Sequence, residues 1–197
     1  MSSLIESPAH PLILASASPR RRDLLREAGI RFEVVPSDAE EVHDVSLCAA
    51  DLTEMNALRK AEAVAERFPE RVVLGADTLV FLGKQIYGKP RDMDDAARML
   101  GELTGRTHEV CTGVALVRLN PSRVRTFHVR TQVTFRALDE EEIHAYLSLI
   151  DPLDKAGSYA AQEHGEKIIA KVEGSWTNVV GLPMEVVRRE LMEWGRS

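Results

Sequence analysis

Long apolar runs, an excess of positive charge and paired cysteines are all missing from this chain. The stretch Pro11–Ala15 is too short for a secretory signal or a membrane span, and no basic region leads into a longer one. Lys and Arg total 25 against 31 Asp and Glu, a formal net charge of −6. That balance argues against a sequence-independent nucleic-acid binder, which needs a basic face to neutralise phosphates. A small anionic ligand stays open, because a few local cations can outweigh a mildly acidic surface. Cys48 and Cys111 are far apart and show no CxxC or Cys/His spacing, so two buried, reduced thiols in a cytoplasmic compartment are expected. The six histidines, at 10, 43, 108, 128, 144 and 164, form no HExxH-type metal pattern. The Gly-rich run ending in Gly-Lys-Ser/Thr that makes a P-loop is absent as well.

What is present reads as an ordinary globular chain of 197 residues, 44% hydrophobic and 28% charged. Its length suits one domain or two lobes sharing a core. Residues 1–10 are expected to be a flexible tail, with one domain over 11–197. Leu12–Ala15 reads as a buried strand, followed by Ser18 as N-cap and Pro19 at the first helical position. That helix stops at Gly29. Phe32–Val35 is a second strand, ended by Pro36, and residues 37–50 are a polar loop. Apolar residues then recur at helical spacing from Leu52 to Phe68. Val72–Ala76 reads as a strand ending at Asp77, with a separate hairpin of Leu79–Leu82 and Gln85–Tyr87 about Gly83-Lys84. Asp92 and Asp139 open helices with acidic first turns. Thr107–Leu119 and Val124–Phe135 form a long hairpin. Ile168–Val172 is a strand, and a last helix runs from about Pro183 to Trp194. Strand–helix alternation followed by hairpins predicts an α/β fold with a mixed sheet and flanking helices.

Five segments can carry chemistry. In Ser16-Ala17-Ser18-Pro19-Arg20-Arg21-Arg22, a hydroxyl-rich turn opens a helix whose first turn holds arginines. That placement opposes the helix dipole unless an anion sits there. In Leu74-Gly75-Ala76-Asp77-Thr78, a buried strand delivers a carboxylate that can bind Mg²⁺ or Mn²⁺ and orient or deprotonate water. Gly88-Lys89-Pro90-Arg91 holds a lysine on constrained backbone. Asp154-Lys155-Ala156-Gly157-Ser158-Tyr159, with Gln162 nearby, mixes charge with the donor and acceptor groups that base recognition needs. Glu40 and Glu41 lie in the polar loop, and Lys60 lies on the helix after it. Each segment alone has an ordinary structural explanation, as a cap, a turn or a solvated charge.

Together and in order, Leu14-Ala15-Ser16-Ala17-Ser18-Pro19-Arg20-Arg21, Gly75-Ala76-Asp77-Thr78, Gly88-Lys89-Pro90, Asp154-Lys155-Ala156-Gly157 and Val180-Gly181-Leu182-Pro183 resemble the Maf proteins. These are nucleoside triphosphate pyrophosphatases once described as septum-formation inhibitors. The resemblance spans about Leu12 to Leu191. It implies a fold like that of inosine triphosphate pyrophosphatases (Maf/Ham1), two lobes around a cleft, and a homodimer. It implies hydrolysis of a nucleoside triphosphate to the monophosphate and pyrophosphate with a divalent cation, Mg²⁺ or Mn²⁺. Asp77 matches the family's proton acceptor. Arg20, Thr78 and Gln162 match its specificity positions, in the combination typical of the dTTP/UTP branch. Ser16, Ser18, Arg21, Lys60, Lys89 and Lys155 are the corresponding phosphate-binding candidates, and Glu40 with Asp77 the metal candidates. The acidic loop departs from the family's Val-Asp-Glu run, having Asp38-Ala39-Glu40-Glu41 instead. Two alternatives stay open: a pyrophosphatase for 7-methyl-GTP or other purine nucleotides, and a nucleotide-binding regulator of cell division without turnover. No nucleic-acid or membrane partner is expected.

Overall fold

The structure, a computed structural model, describes residues 10–42, 44 and 46–196. The expected tail therefore lies outside the described residues except for His10, as does His43. One seven-stranded mixed sheet organises the chain, with strand order β2-β1-β3-β5-β6-β7 and β4 pairing β3 beside that path. β1 (Leu12–Leu14) and β2 (Phe32–Val34) run parallel, joined by α1 (Pro19–Glu27). Ser18 caps α1 as the sequence predicts, its side chain accepting from the Arg21 backbone N–H, and Gly29 takes the left-handed turn that ends it (φ +71°).

α2 (Ala49–Ala65) follows the polar loop and leads to β3 (Val73–Leu82). β3 turns at Gly83 into β4 (Gln85–Tyr87). α3 (Met93–Leu103), capped by Asp92, precedes the long hairpin of β5 (Thr107–Leu119) and β6 (Ser122–Phe135). α4 (Glu140–Leu147) starts with the Asp139/Glu142 capping box. Three short 3-10 turns then lead to β7 (Ile169–Glu173), α5 (Trp176–Val180) and α6 (Met184–Gly195). No helix among the described residues is long and apolar enough to cross a membrane.

The period-2 alternation of β3 sorts the core. Val73, Leu79 and Phe81 face α2, packing with Ile13, Ala57, Ala61, Leu52 and Cys111. Leu74 and Ala76 face the other side, where α1 and α6 bring Leu25, Val187 and Trp194. Val80 meets α3 and α4 through Leu100, Leu103 and Tyr146. Each large apolar side chain closed off from water in this way is worth roughly 1.5–3 kcal/mol.

Two expectations are corrected. Asp77 does not end a strand: Val72–Ala76 and Leu79–Leu82 are one continuous β3, because β5 pairs with it from Val73 to Phe81. Long-range pairing overrides the low strand preference of Asp. Cys48 is exposed rather than buried, since it serves as N-cap of α2 with Sγ accepting from the Asp51 backbone N–H. Cys111 is buried, and both thiols are free. The five-residue helix α5 and the turns around Asp154–Ser158 carry too few residues to show a period in sequence.

Candidate functional site

The neighbours of β3 change along its length. At one end β1 pairs in parallel with Val73 and Leu74; at the other β4 pairs antiparallel with Val80–Leu82. On that side Gly75–Leu79 has no strand partner among the described residues. A cleft of about 920 Å³ opens there, within the usual range for a small-molecule site. It is walled by the start of α1, by Lys60 of α2, by Gly88-Lys89, by Asp154–Ala156 and Tyr159–Gln162, and by Val179–Gly181.

Asp77 is buried at the floor, on the α2 face of β3, with 3% of its surface exposed. Lys60 Nζ donates to Asp77 Oδ1 at 2.7 Å and to Glu41 Oε1 at 2.6 Å. Asn56 Nδ2 donates to Asp77 Oδ2 at 3.2 Å. Asn56 and Lys60 lie one turn apart on α2 and so reach the same carboxylate. They can do so because the helix lies unusually close to the sheet. A Cβ on Gly75 would fall on the Ala57 carbonyl oxygen, and one on Gly113, the cross-strand partner of Asp77, would fall on the Thr53 backbone.

Thr78 points to the opposite face. Its hydroxyl lies 2.9 Å from the Thr112 hydroxyl and accepts from Arg21 Nη2 at 3.0 Å. Arg21 also donates from Nε to the Gly181 carbonyl at 2.9 Å and from Nη1 to Ser16 Oγ at 3.2 Å and the Ala76 carbonyl at 2.8 Å. That last carbonyl sits on the part of β3 without a strand partner, so the guanidinium supplies the donor a strand would have given. Burial lowers the pKa of Arg21 from its ordinary value, although the Asp77 charge opposes this. Arg21 thus lines the cleft while bracing β3, Ser16 and the α5 end together.

Opposite, Asp154 gathers cations. Lys89 Nζ donates to its Oδ1 at 3.0 Å, and Arg20 donates to its Oδ2 at 3.4 Å and to its carbonyl at 3.2 Å. Burial works to raise the Asp154 pKa, but the hydrogen bond and charge of Lys89, with Arg20 and Lys155, outweigh it and hold the carboxyl below its ordinary value. Lys155 is buried, its Nζ donating to the Asp151 carbonyl at 2.7 Å. The Gly157 N–H donates to the Gly88 carbonyl at 3.0 Å, which ties the lysine-bearing turn at 88–89 to this loop.

Ser16, Ser18, Arg20, Arg21, Lys60, Asp77, Thr78, Lys89, Lys155 and Gln162 all line this one cleft. Glu40 does not; its neighbour Glu41 lines the cleft and accepts from Lys60. The loop of 37–42 has no period from which to fix which of two adjacent glutamates turns inward. Asn56 is not among the sequence candidates, and Asp154, singled out only as part of a charged loop, has its ion-pairing role from the fold. Asn56 sits four residues before Lys60, a spacing that could have flagged it. The lining carries five cationic side chains against three carboxylates, in a chain of net charge −6. Such a cleft suits a polyanion, and fixed cations beside a buried carboxylate suit attack of water at an anionic centre. No group of three or more His, Cys, Asp or Glu is placed to hold a metal ion among the described residues. Glu41 and Asp77 are the two carboxylates that meet in the cleft, bridged by the Lys60 ammonium.

A family model described as Maf-like protein matches residues 11–194. The chain is 50% identical over 179 residues to a dTTP/UTP pyrophosphatase of Akkermansia muciniphila, covering 91% of this chain and 94% of that one. It is 48% identical over 182 residues to a dTTP/UTP pyrophosphatase of Bacillus cytotoxicus, covering 92% and 94%. Among solved structures it is similar to the Ham1 protein of Staphylococcus aureus, at 13% identity and a TM-score of 0.49, over 92% of this chain and 98% of that one.

Proposed function

The chain belongs to the Maf family, and we propose that it hydrolyses dTTP and UTP to the nucleoside monophosphate and pyrophosphate. The observation that carries this reading is the buried Asp77 carboxylate facing a cationic cleft. The substrate follows from the two pyrophosphatases that resemble the chain over most of its length.

In the proposed reaction a water oxygen attacks the α-phosphorus. The bond from that phosphorus to the oxygen bridging α and β breaks, and pyrophosphate leaves with the bond electrons. Asp77 accepts the proton that the water loses. Arg20, Lys60, Lys89 and Lys155 take charge from the phosphate oxygens, helped by the Ser16 and Ser18 hydroxyls at the start of α1. Arg21 adds its charge from the wall it braces. Arg20, Thr78 and Gln162 read the base and sugar.

The oxygen donors of Glu41 and Asp77 fit a hard divalent cation, since one ammonium already bridges them. Those two residues would hold Mg²⁺ or Mn²⁺, with Glu41 replacing Glu40 in that role. When bound, the cation neutralises phosphate charge and lowers the pKa of coordinated water.

The test is a nucleotide panel assayed for pyrophosphate, with Asp77→Asn beside the wild type. Wild-type release is expected to be fastest with dTTP and UTP. Asp77→Asn should lose about 10²–10⁴-fold in kcat while staying folded. Activity of that variant near wild type removes Asp77 as the base. Preference for purine nucleotides overturns the substrate assignment.

A further inference from the structure

Asp77 has two oxygens, and the proposed reaction assigns partners to only one of them. Lys60 holds Oδ1. The group on Oδ2 is the side-chain amide of Asn56, at 3.2 Å. Asn56 is 1% exposed, and its whole hydrogen-bonding capacity faces inward. Its Oδ1 accepts from the Val42 backbone N–H at 2.8 Å, and its Nδ2 donates to the Val42 carbonyl at 3.1 Å. These partners dictate the orientation of the amide. Flipped, its oxygen would meet the Val42 carbonyl and the Asp77 carboxylate, two acceptors, while its NH₂ met an N–H.

From this arrangement we infer that Asn56 is a positioning residue for Asp77. It sets the rotation of the carboxylate and ties it to the backbone of Val42, next to Glu41. Four facts support this. A carboxylate held by a single ammonium is free to turn about its Cβ–Cγ bond, and a second donor on the other oxygen stops that rotation. The donor is neutral, so it aims the group while adding no charge to the site. The amide is immobilised by two bonds to one residue, so it has no alternative partner to swing to. Finally, α2 carries Asn56 and Lys60 on adjacent turns, so both oxygens of Asp77 are referenced to one rigid element. Glu41, one residue before the clamped Val42, is thereby registered against the same helix through both Lys60 and Asn56. This role rests on the proposed hydrolysis for its consequence, and on the hydrogen bonds for its geometry.

Asn56→Asp is the informative variant. It keeps the shape and the acceptor for the Val42 N–H, removes the donation to Asp77 and to the Val42 carbonyl, and adds a carboxylate beside Asp77, so it is read together with the neutral, similarly sized Asn56→Leu, which removes the donation without adding charge. Three measurements are compared with wild type: kcat for UTP, the Kd of a non-hydrolysable UTP analogue with an imido bridge between α- and β-phosphates, and a crystal structure. The expected result is a kcat lowered about 10- to 100-fold, the size usual for loss of a supporting partner, with analogue affinity within about threefold. In the crystal the Asp77 carboxylate should be rotated. Asn56→Leu carries the test where Asn56→Asp folds poorly or loses analogue affinity to its added charge, with the same fall in kcat and the same rotation of Asp77 expected. An unchanged kcat, or a fall in kcat matched by an equal loss of analogue affinity, overturns the inference. An unrotated Asp77 overturns it too. A wild-type protein that releases no pyrophosphate from UTP or dTTP instead overturns the function, and the crystal structures then decide the positioning claim alone.

Discussion

Replacing Gly75 with alanine tests whether the close seat of α2 on the sheet makes the site. The backbone at Gly75 has no positive φ, so an alanine there is conformationally allowed. On backbone grounds alone the change should stabilise, by roughly 0.5–1 kcal/mol. The packing predicts the opposite sign. The new methyl would land on the Ala57 carbonyl oxygen and within 2.9 Å of the Ala61 nitrogen, both parts of helix backbone that cannot rotate aside. The whole helix must lift. Overpacking of this kind costs about 1–3 kcal/mol. For a domain of this size that is a fall in Tm of roughly 2–12 °C. The same lift draws Asn56 and Lys60 away from Asp77, from contacts that are now 3.2 and 2.7 Å. A displacement near 1 Å can cost about 100-fold in rate. Gly101, in α3, supplies the control: nothing lies within 4 Å of a Cβ there, and Gly101→Ala should raise stability by about 0.5–1 kcal/mol with activity unchanged. Differential scanning calorimetry and pyrophosphate release measure both variants. A Gly75→Ala protein as stable and active as wild type refutes the reasoning.

Two further predictions concern charged groups. Arg21→Lys keeps the charge but loses the planar fork that meets Gly181, Ser16, Ala76 and Thr78 at once; it should cost about 1–3 kcal/mol and depress kcat, and an unchanged denaturation midpoint would show the fork to be dispensable. Asp95 is held down to about 2 by hydrogen bonds from the Arg98 side chain and the Arg91 backbone N–H. Its folded-state pKa is depressed, so its stabilisation is present above the ordinary carboxylate value and fades as pH falls toward 2. The Tm gap between wild type and Asp95→Asn should therefore be wide near about pH 6 and narrow near about pH 2.5; a gap independent of pH would contradict the shift.

Local chemistry makes much of this legible in the sequence. The Ser18-Pro19 cap, the Gly29 stop, the Gly83 turn and the Asp139 box each depend on residues a few positions apart, and each lies where the pattern puts it. The candidate residues from Ser16 to Gln162, Glu40 aside, line a single cleft. What escaped depends on distant partners. The continuity of β3 through Asp77 is imposed by β5, more than thirty residues on. The choice of Glu41 over Glu40 is set by where the clamped Val42 leaves the loop. That Arg21, a phosphate-binding candidate in sequence, also braces the wall is not legible there, because its partners come from β3 and the α5 end, remote in sequence.

The change of neighbours along β3 has one more consequence. An unpaired stretch of strand is normally an invitation to another chain, and sheet edges are where proteins add strands to one another and aggregate. Here the open stretch is five residues, closed at one end by β1 and at the other by β4. Its Ala76 carbonyl is already occupied by Arg21. An intruding strand finds both ends shut and a cation in its path, whereas a compact anion finds an entrance. The interruption that makes room for a ligand thus also keeps a strand of another chain out of this gap.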